Sequence, residues 1–262
     1  MNVNIKNLVE SFDFDNIING EDDNENQVHL DIINFNLGYK YFPTNKRELR
    51  SVIDLKIKNR EYDFNDIDVS RITDLSGTFY RLWSIEQNKF KGYIKIDVSK
   101  WNVGLCKNFS HMFAGVSYVN FDFSNWDVGN GENFEDMFAS SHTYNPITGI
   151  ENWDMSKAKT VAGMFSDTWC FNKLDFSNWD VHNVEDFSYM FSGCGQFNQD
   201  LSKWNVSSGK DFFGMFDGCK AFDQSLDTWK DTVMKPGVEN GDMFLECKSA
   251  PEWYNIEETD ED

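Results

Sequence analysis

The chain has 262 residues, 40% hydrophobic and 16% aromatic, which supplies a substantial core and argues against global disorder. Its 44 acidic and 24 basic residues leave a formal charge of -20, so phosphate backbones and anionic lipid surfaces are repelled and nucleic-acid binding through a basic groove is disfavoured. No apolar run reaches the roughly 18 residues needed to span a bilayer. The opening "MNVNIKNLVESFDFDN" has neither a signal-peptide core nor a lipobox-like cysteine. The five cysteines are an odd number and read as free thiols.

In chain order, residues 1–43 form an N-terminal extension around the acidic, Asn-rich "NGEDDNENQ", for which partial order is expected. Residues 44–61 form a capping helix. Asn45 and Glu48 have capping-box spacing, and Leu49, Val52, Ile53 and Ile57 share one face.

Residues 62–247 repeat. Trp101, Trp126, Trp153, Trp179, Trp204 and Trp229 are separated by 25, 27, 26, 25 and 25 residues, and Ile67 takes the same role 34 residues before Trp101. The longer first gap holds the insertion "RLWSIEQNKFKGY". Three residues before each Trp stands an apolar residue, and another stands two after each Trp from Trp101 to Trp204. Twelve after it stands Phe79, Phe113, Phe138, Phe165, Phe191 or Phe216. Apolar-x-x-Trp-x-Val is the spacing of a short strand. "NVEDFSYMF" spaces Val184, Phe187, Met190 and Phe191 like one face of a short helix. Stacked units would then give an α/β solenoid of leucine-rich-repeat type with about seven rungs, parallel strands on one face and helices on the other, roughly 30–35 Å long. Its core would contain the six Trp residues and the Phe column. Residues 248–262 complete a C-terminal cap and end in the acidic tail "EETDED".

"FSNWDVHNVEDFSYMFSGCGQFNQDLSKWNVSS" resembles the 25-residue repeats of BspA-like bacterial surface proteins, found in mycoplasma and Listeria surface lipoproteins. Trp-Asp/Asn-Val, Met-Phe and Phe-Asn-Gln-Asp all fall in register with them. The resemblance implies a leucine-rich-repeat-like solenoid used for binding, and it transfers no catalytic residue. Surface members are exported, whereas no export signal is seen here. A cytoplasmic or phage-associated location is therefore expected over export.

No nucleotide-binding loop, hydrolase elbow or metal-ligand spacing is present, and no cofactor, metal or enzymatic activity is expected. His29, His111, His142 and His182 read as ordinary surface residues. Cys194, Cys219 and Cys247 each lie three residues after a repeat Phe and read as small buried thiols, with a redox or metal column as the alternative. The residue after each Trp points outward. Asp127, Asp154 and Asp180 in that column read as a solvated acidic face, or as a binding face for a basic partner or Ca²⁺. Replacing Asp180 by Ala is expected to change stability by under about 0.5 kcal/mol. The leading functional expectation is a non-catalytic scaffold that binds protein. The alternatives are a cell-surface adhesin and an accessory or structural protein of a phage particle.

Overall fold

The computed structural model describes residues 38–80, 96–116, 122–141, 147–168 and 174–254. The insertion that begins at Arg81, His29, His142, Cys170, the acidic tail and most of the N-terminal extension lie outside these residues. The described part opens with helix α1 (Lys46–Lys58). Asn45 is extended, and its side-chain oxygen accepts from the Glu48 amide at 3.0 Å. Glu48 Oε2 in turn accepts from the Thr44 amide at 2.6 Å and hydroxyl at 2.9 Å, one residue further back than in the usual capping box. Leu49, Val52, Ile53 and Ile57 join the buried cluster of the repeats. Arg50 donates to the Gly77 carbonyl at 2.9 Å, so α1 also covers polar backbone at the start of the stack. Lys56 is buried and paired with Asp66 at 2.7 Å and Glu61 at 3.3 Å.

Beyond α1 the expectation of an α/β leucine-rich-repeat-like solenoid fails. Among the described repeat residues, no strand is longer than an isolated parallel bridge. Among the described residues after α1, the only helical pieces are α2 (Lys230–Val233) and two 3₁₀ turns, Ile150–Asn152 and Asp227–Trp229. The repeats are stacked coils built from consecutive tight turns.

The positions are also exchanged relative to the sequence reading. The Trp segment, read as strand, is a turn: the Trp179 amide donates to Phe176 O at 3.0 Å and the Val184 amide to Val181 O at 3.0 Å. The segment read as helix carries most of the bridges. Asn108, Asn133, Thr160, Asp186, Asp211 and Glu239 pair in parallel, each with the next.

Backbone hydrogen bonding explains the exchange. In "NVEDFSYMF" the amides of Phe187, Tyr189 and Phe191 donate to Asp211, Phe213 and Met215 of the following coil at 2.8–2.9 Å, and Gly193 donates to Asp217 at 2.7 Å. The amides between them close short turns within the coil, Met190 onto Phe187 at 3.2 Å and Ser192 onto Tyr189 at 3.0 Å. An α-helix would need these amides four residues back along their own chain. Two left-handed residues per coil produce the alternation. They lie ten and fourteen residues after the Trp, as at Tyr189 (φ 54°) and Gly193 (φ 73°), and each interrupts helical continuation.

Stacking places like over like. Phe79, Phe113, Phe138, Phe165, Phe191, Phe216 and Phe244 form one continuous ring stack with centroids 5.5–5.8 Å apart. Trp126 stacks on Trp153 at 6.3 Å, Trp179 on Trp204 at 6.3 Å and Trp204 on Trp229 at 6.1 Å. Trp101, Trp126, Trp179 and Trp204 also tie coils together. Their indole nitrogens donate to Phe64, Val98, Ile150 and Phe176 carbonyls of the preceding coil at 2.8–3.1 Å. Among the described residues, the buried indole nitrogens of Trp153 and Trp229 have no hydrogen-bond partner. These two Trp residues are the ones whose preceding turn is wound as 3₁₀ after a left-handed residue, Gly149 or Leu226.

This difference is measurable. Trp179→Ala should cost about 3–5 kcal/mol, the range for truncating a large buried aromatic. Trp179→Phe should cost about 1 kcal/mol more than Trp153→Phe, because only the first removes a buried hydrogen bond. Equal denaturant midpoint shifts for the two Phe variants would contradict the indole tie.

Candidate functional site

Outward positions stand in columns, and the candidate binding face is the column after the Trp. Asp127, Asp154 and Asp180 are exposed there, in line with Asn102 and Asn205. They are not free solvated carboxylates. Each Oδ1 accepts the amide two residues on: Gly129 at 3.0 Å, Ser156 at 2.9 Å and His182 at 3.3 Å. Asn102 and Asn205 do the same for Gly104 at 3.2 Å and Ser207 at 3.1 Å. This is the Asx turn, in which a short polar side chain replaces a backbone acceptor.

Two further columns repeat the device. Four residues before the Trp, Asp97, Asp122, Asp175 and Asp200 accept from Ser99, Ser124, Ser177 and Ser202 amides at 2.9–3.1 Å. Seven after it, Asp186 and Asp211 accept from Ser188 and Phe213 amides at 2.9 Å, and Asn108 and Asn133 from Ser110 and Glu135 amides at 3.0 and 2.9 Å. Much of the chain's acidity therefore closes turns. The Ser156 hydroxyl and amide hold the Asp154 carboxyl below its ordinary range, and Ser124, Ser177 and Ser202 do the same for Asp122, Asp175 and Asp200. The expectation that Asp180→Ala is nearly neutral is withdrawn on this geometry, because the side chain closes a turn.

One column balances charge along the stack. Six residues after the Trp stand Lys107, Glu132, Lys159, Glu185 and Lys210, alternating in sign from coil to coil. Lys107 meets Glu132 at 2.7 Å and Lys210 meets Glu185 at 2.6 Å. The hydrogen bonds from Lys107 and Lys210 hold the two glutamates below their ordinary range, and Lys159 adds to both effects.

Cys194, Cys219 and Cys247 stand in one column with Ser141 and Thr168, and they are free thiols. Their Sγ atoms donate to the Phe165, Phe191 and Phe216 carbonyls of the preceding coil at 3.0–3.1 Å. The Ser141 hydroxyl takes the same role on Phe113 O. Ser and Cys both fill this position as small donors to the preceding coil, whereas Thr168 donates to Phe165 O of its own coil at 2.6 Å and Val116 brings no side-chain donor. Burial pushes the Cys247 thiol up to about 12 and the Cys219 thiol higher still.

The Phe-Asn-Gln-Asp motif is also structural. Gln199 donates to Leu174 O and accepts from the Phe176 amide at 3.0 Å, while Asn198 pairs with Asp223 at 2.8 Å. His182 Nδ1 lies 2.7 Å from Asp180 Oδ1, and its Nε2 lies 2.7 Å from Asn183 Nδ2. The turn-closing role of the Asp and Asn columns is not part of the sequence reading. The signal was available in the fixed spacing of Asp or Asn two residues before Ser or Gly. Among the described residues, no helix is long and apolar enough to cross a membrane.

A family model described as "Mycoplasma protein of unknown function, DUF285" matches residues 49–148 and again residues 146–253. No curated protein and no solved structure gives a significant match.

Two measurements follow from this geometry. Asp154→Ala should cost about 0.5–1 kcal/mol at neutral pH, the low end of a cap's worth because water competes at an exposed site. Asp154→Asn should retain that stability, as Asn102 and Asn205 do in the same column. The depressed carboxyl contributes stability above its unfolded value near 3.9, which is lost as pH falls through the lower folded value. The Asn variant should therefore lose less than wild type between about pH 4 and pH 2, and parallel melting curves would contradict this. Separately, peptide mapping after alkylation at pH 8 should show Cys106, Cys194 and Cys219 unmodified until denaturant is added. Burial also pushes the Cys106 thiol up, to about 12.

Proposed function

Because the chain belongs to the DUF285 mycoplasma family, we propose that it is a non-catalytic repeat protein whose stacked coils act as a binding scaffold. The observation that carries this reading is the column after the Trp. Asp127, Asp154 and Asp180 stand on successive coils, and each carboxylate is held through one oxygen by its own turn. Among the described residues no hydrogen bond or ion pair takes the second oxygen of any of the three, and a carboxylate already held by its turn loses little side-chain entropy on binding. A basic protein segment lying along the stack would meet several such carboxylates at once. The net charge of -20 would speed its approach at low salt.

The probe is a Lys-rich peptide titrated against full-length protein at low and high salt. Changing Asp127, Asp154 and Asp180 together to Asn preserves the turn caps and removes three charges. The control changes Asp122, Asp175 and Asp200 to Asn, which removes the same charge from another column. At low salt the first triple variant should bind at least about threefold more weakly than the control, and the gap should close at high salt as screening shortens. Equal weakening in both variants would mean that the column after the Trp is not a distinct binding face.

A further inference from the structure

We propose that His111, Glu135 and Asp136 form a surface site for a zinc-class divalent transition-metal ion, bridging two adjacent coils. Their ligand atoms all lie within 4.8 Å of one another, and His111 Nδ1 is 3.4 Å from Asp136 Oδ2. For metal–ligand bonds of about 2.0–2.2 Å, the ligands of a tetrahedral ion stand roughly 3.3–3.6 Å apart. The trio therefore needs only small side-chain adjustments to close on an ion, with water completing the shell.

The backbone builds this juxtaposition. The His111 amide donates to Glu135 O at 2.8 Å, which locks the two coils in the register that sets His111 beside the Glu135–Asp136 pair. His111 (φ 54°) and Asp136 (φ 51°) occupy the left-handed position that Gly77, Gly163 and Gly214 fill in other coils. On the far side of Asp136, a Cβ at Gly163 would approach Asp136 Oδ1 to 2.0 Å. The glycine thus makes room for this carboxylate, whose other oxygen faces the imidazole. The Tyr80 ring packs at 6.0 Å on the imidazole from the preceding coil and limits its rotation.

Charge favours a dication over a simple ion pair. Whatever the protonation of His111, its charge cannot balance two carboxylates. Among the described residues, no Lys or Arg ion pair reaches Glu135 or Asp136. The imidazole nitrogen selects for zinc-class ions over Ca²⁺ or Mg²⁺, which take oxygen ligands. The spacing was invisible in the sequence because the ligands are 24 and 25 residues apart.

The test is calorimetric titration of Zn²⁺ into the full chain, with Co²⁺ visible absorption as an independent readout of tetrahedral nitrogen–oxygen ligation. The expected result is one saturable ion per chain. His111→Asn and Asp136→Asn should each weaken it at least about tenfold, since even disturbing groups behind a ligand costs about 10–100-fold. Asn tolerates the left-handed backbone, and circular dichroism will establish that both variants fold. Glu135→Gln gives a third check at a position with no left-handed requirement. His182→Asn is the control, because among the described residues no third His, Cys, Asp or Glu joins the His182–Asp180 pair. Absence of saturable binding, or affinity unchanged in the ligand variants, would overturn the proposal. Equal loss in the His182 control would overturn it as well.

Discussion

Alternate backbone amides in each coil donate along the stack to the next coil, and the rest of the molecule accommodates that. Phe109, His111, Phe113 and Gly115 donate to Asn133, Glu135, Met137 and Ala139, and the coils that follow do likewise. A peptide plane can reach a neighbouring coil only if the chain turns it out of its own helix. Two left-handed residues per coil achieve this, at a strain cost that glycine avoids and that Asp, Asn and His tolerate better than branched residues. Regular helix and extended strand are both displaced by the same requirement.

The acidity follows from the turns. Closely spaced turns leave amides that no backbone carbonyl can reach, and an Asp or Asn side chain supplies the missing acceptor. The cost is repulsion between carboxylates stacked in columns. It is eased by solvent, by Asn in some coils, and by the alternating ladder from Lys107 to Lys210. A charge of -20 is therefore weak evidence about partners by itself. The informative features are which carboxylates keep an oxygen outward and which meet a base from another coil.

The core uses the same economy of repetition. Because identical side chains fall on one another, flat rings pack well, and the Phe column stacks with interplanar angles of 15° or less. Trp101, Trp126, Trp179 and Trp204 each add an indole hydrogen bond that binds their coil to a carbonyl of the preceding one. The small donor three residues after the Phe, whether Cys or Ser, satisfies another carbonyl in the same way. Side chains thus supply the inter-coil bonds that a continuous sheet would have supplied through its backbone.

The repeat period, the inward Trp and Phe positions and the α1 cap could be read from spacing alone, because burial imposes one residue type per layer and a helix cap has a local signature at Asn45 and Glu48. The conformation between those positions could not. Val184, Phe187, Met190 and Phe191 have helical spacing, yet their segment is not helical, since its amides find better-placed acceptors on the neighbouring coil. Likewise, Asp180 reads as solvated until its turn is seen, and His111 reads as isolated until stacking brings Asp136 beside it. Sequence determined which residues repeat and which are buried, because those depend on residue type and period. The tertiary structure decided where each backbone amide donates and which distant side chains meet, because both depend on the register of one coil against the next.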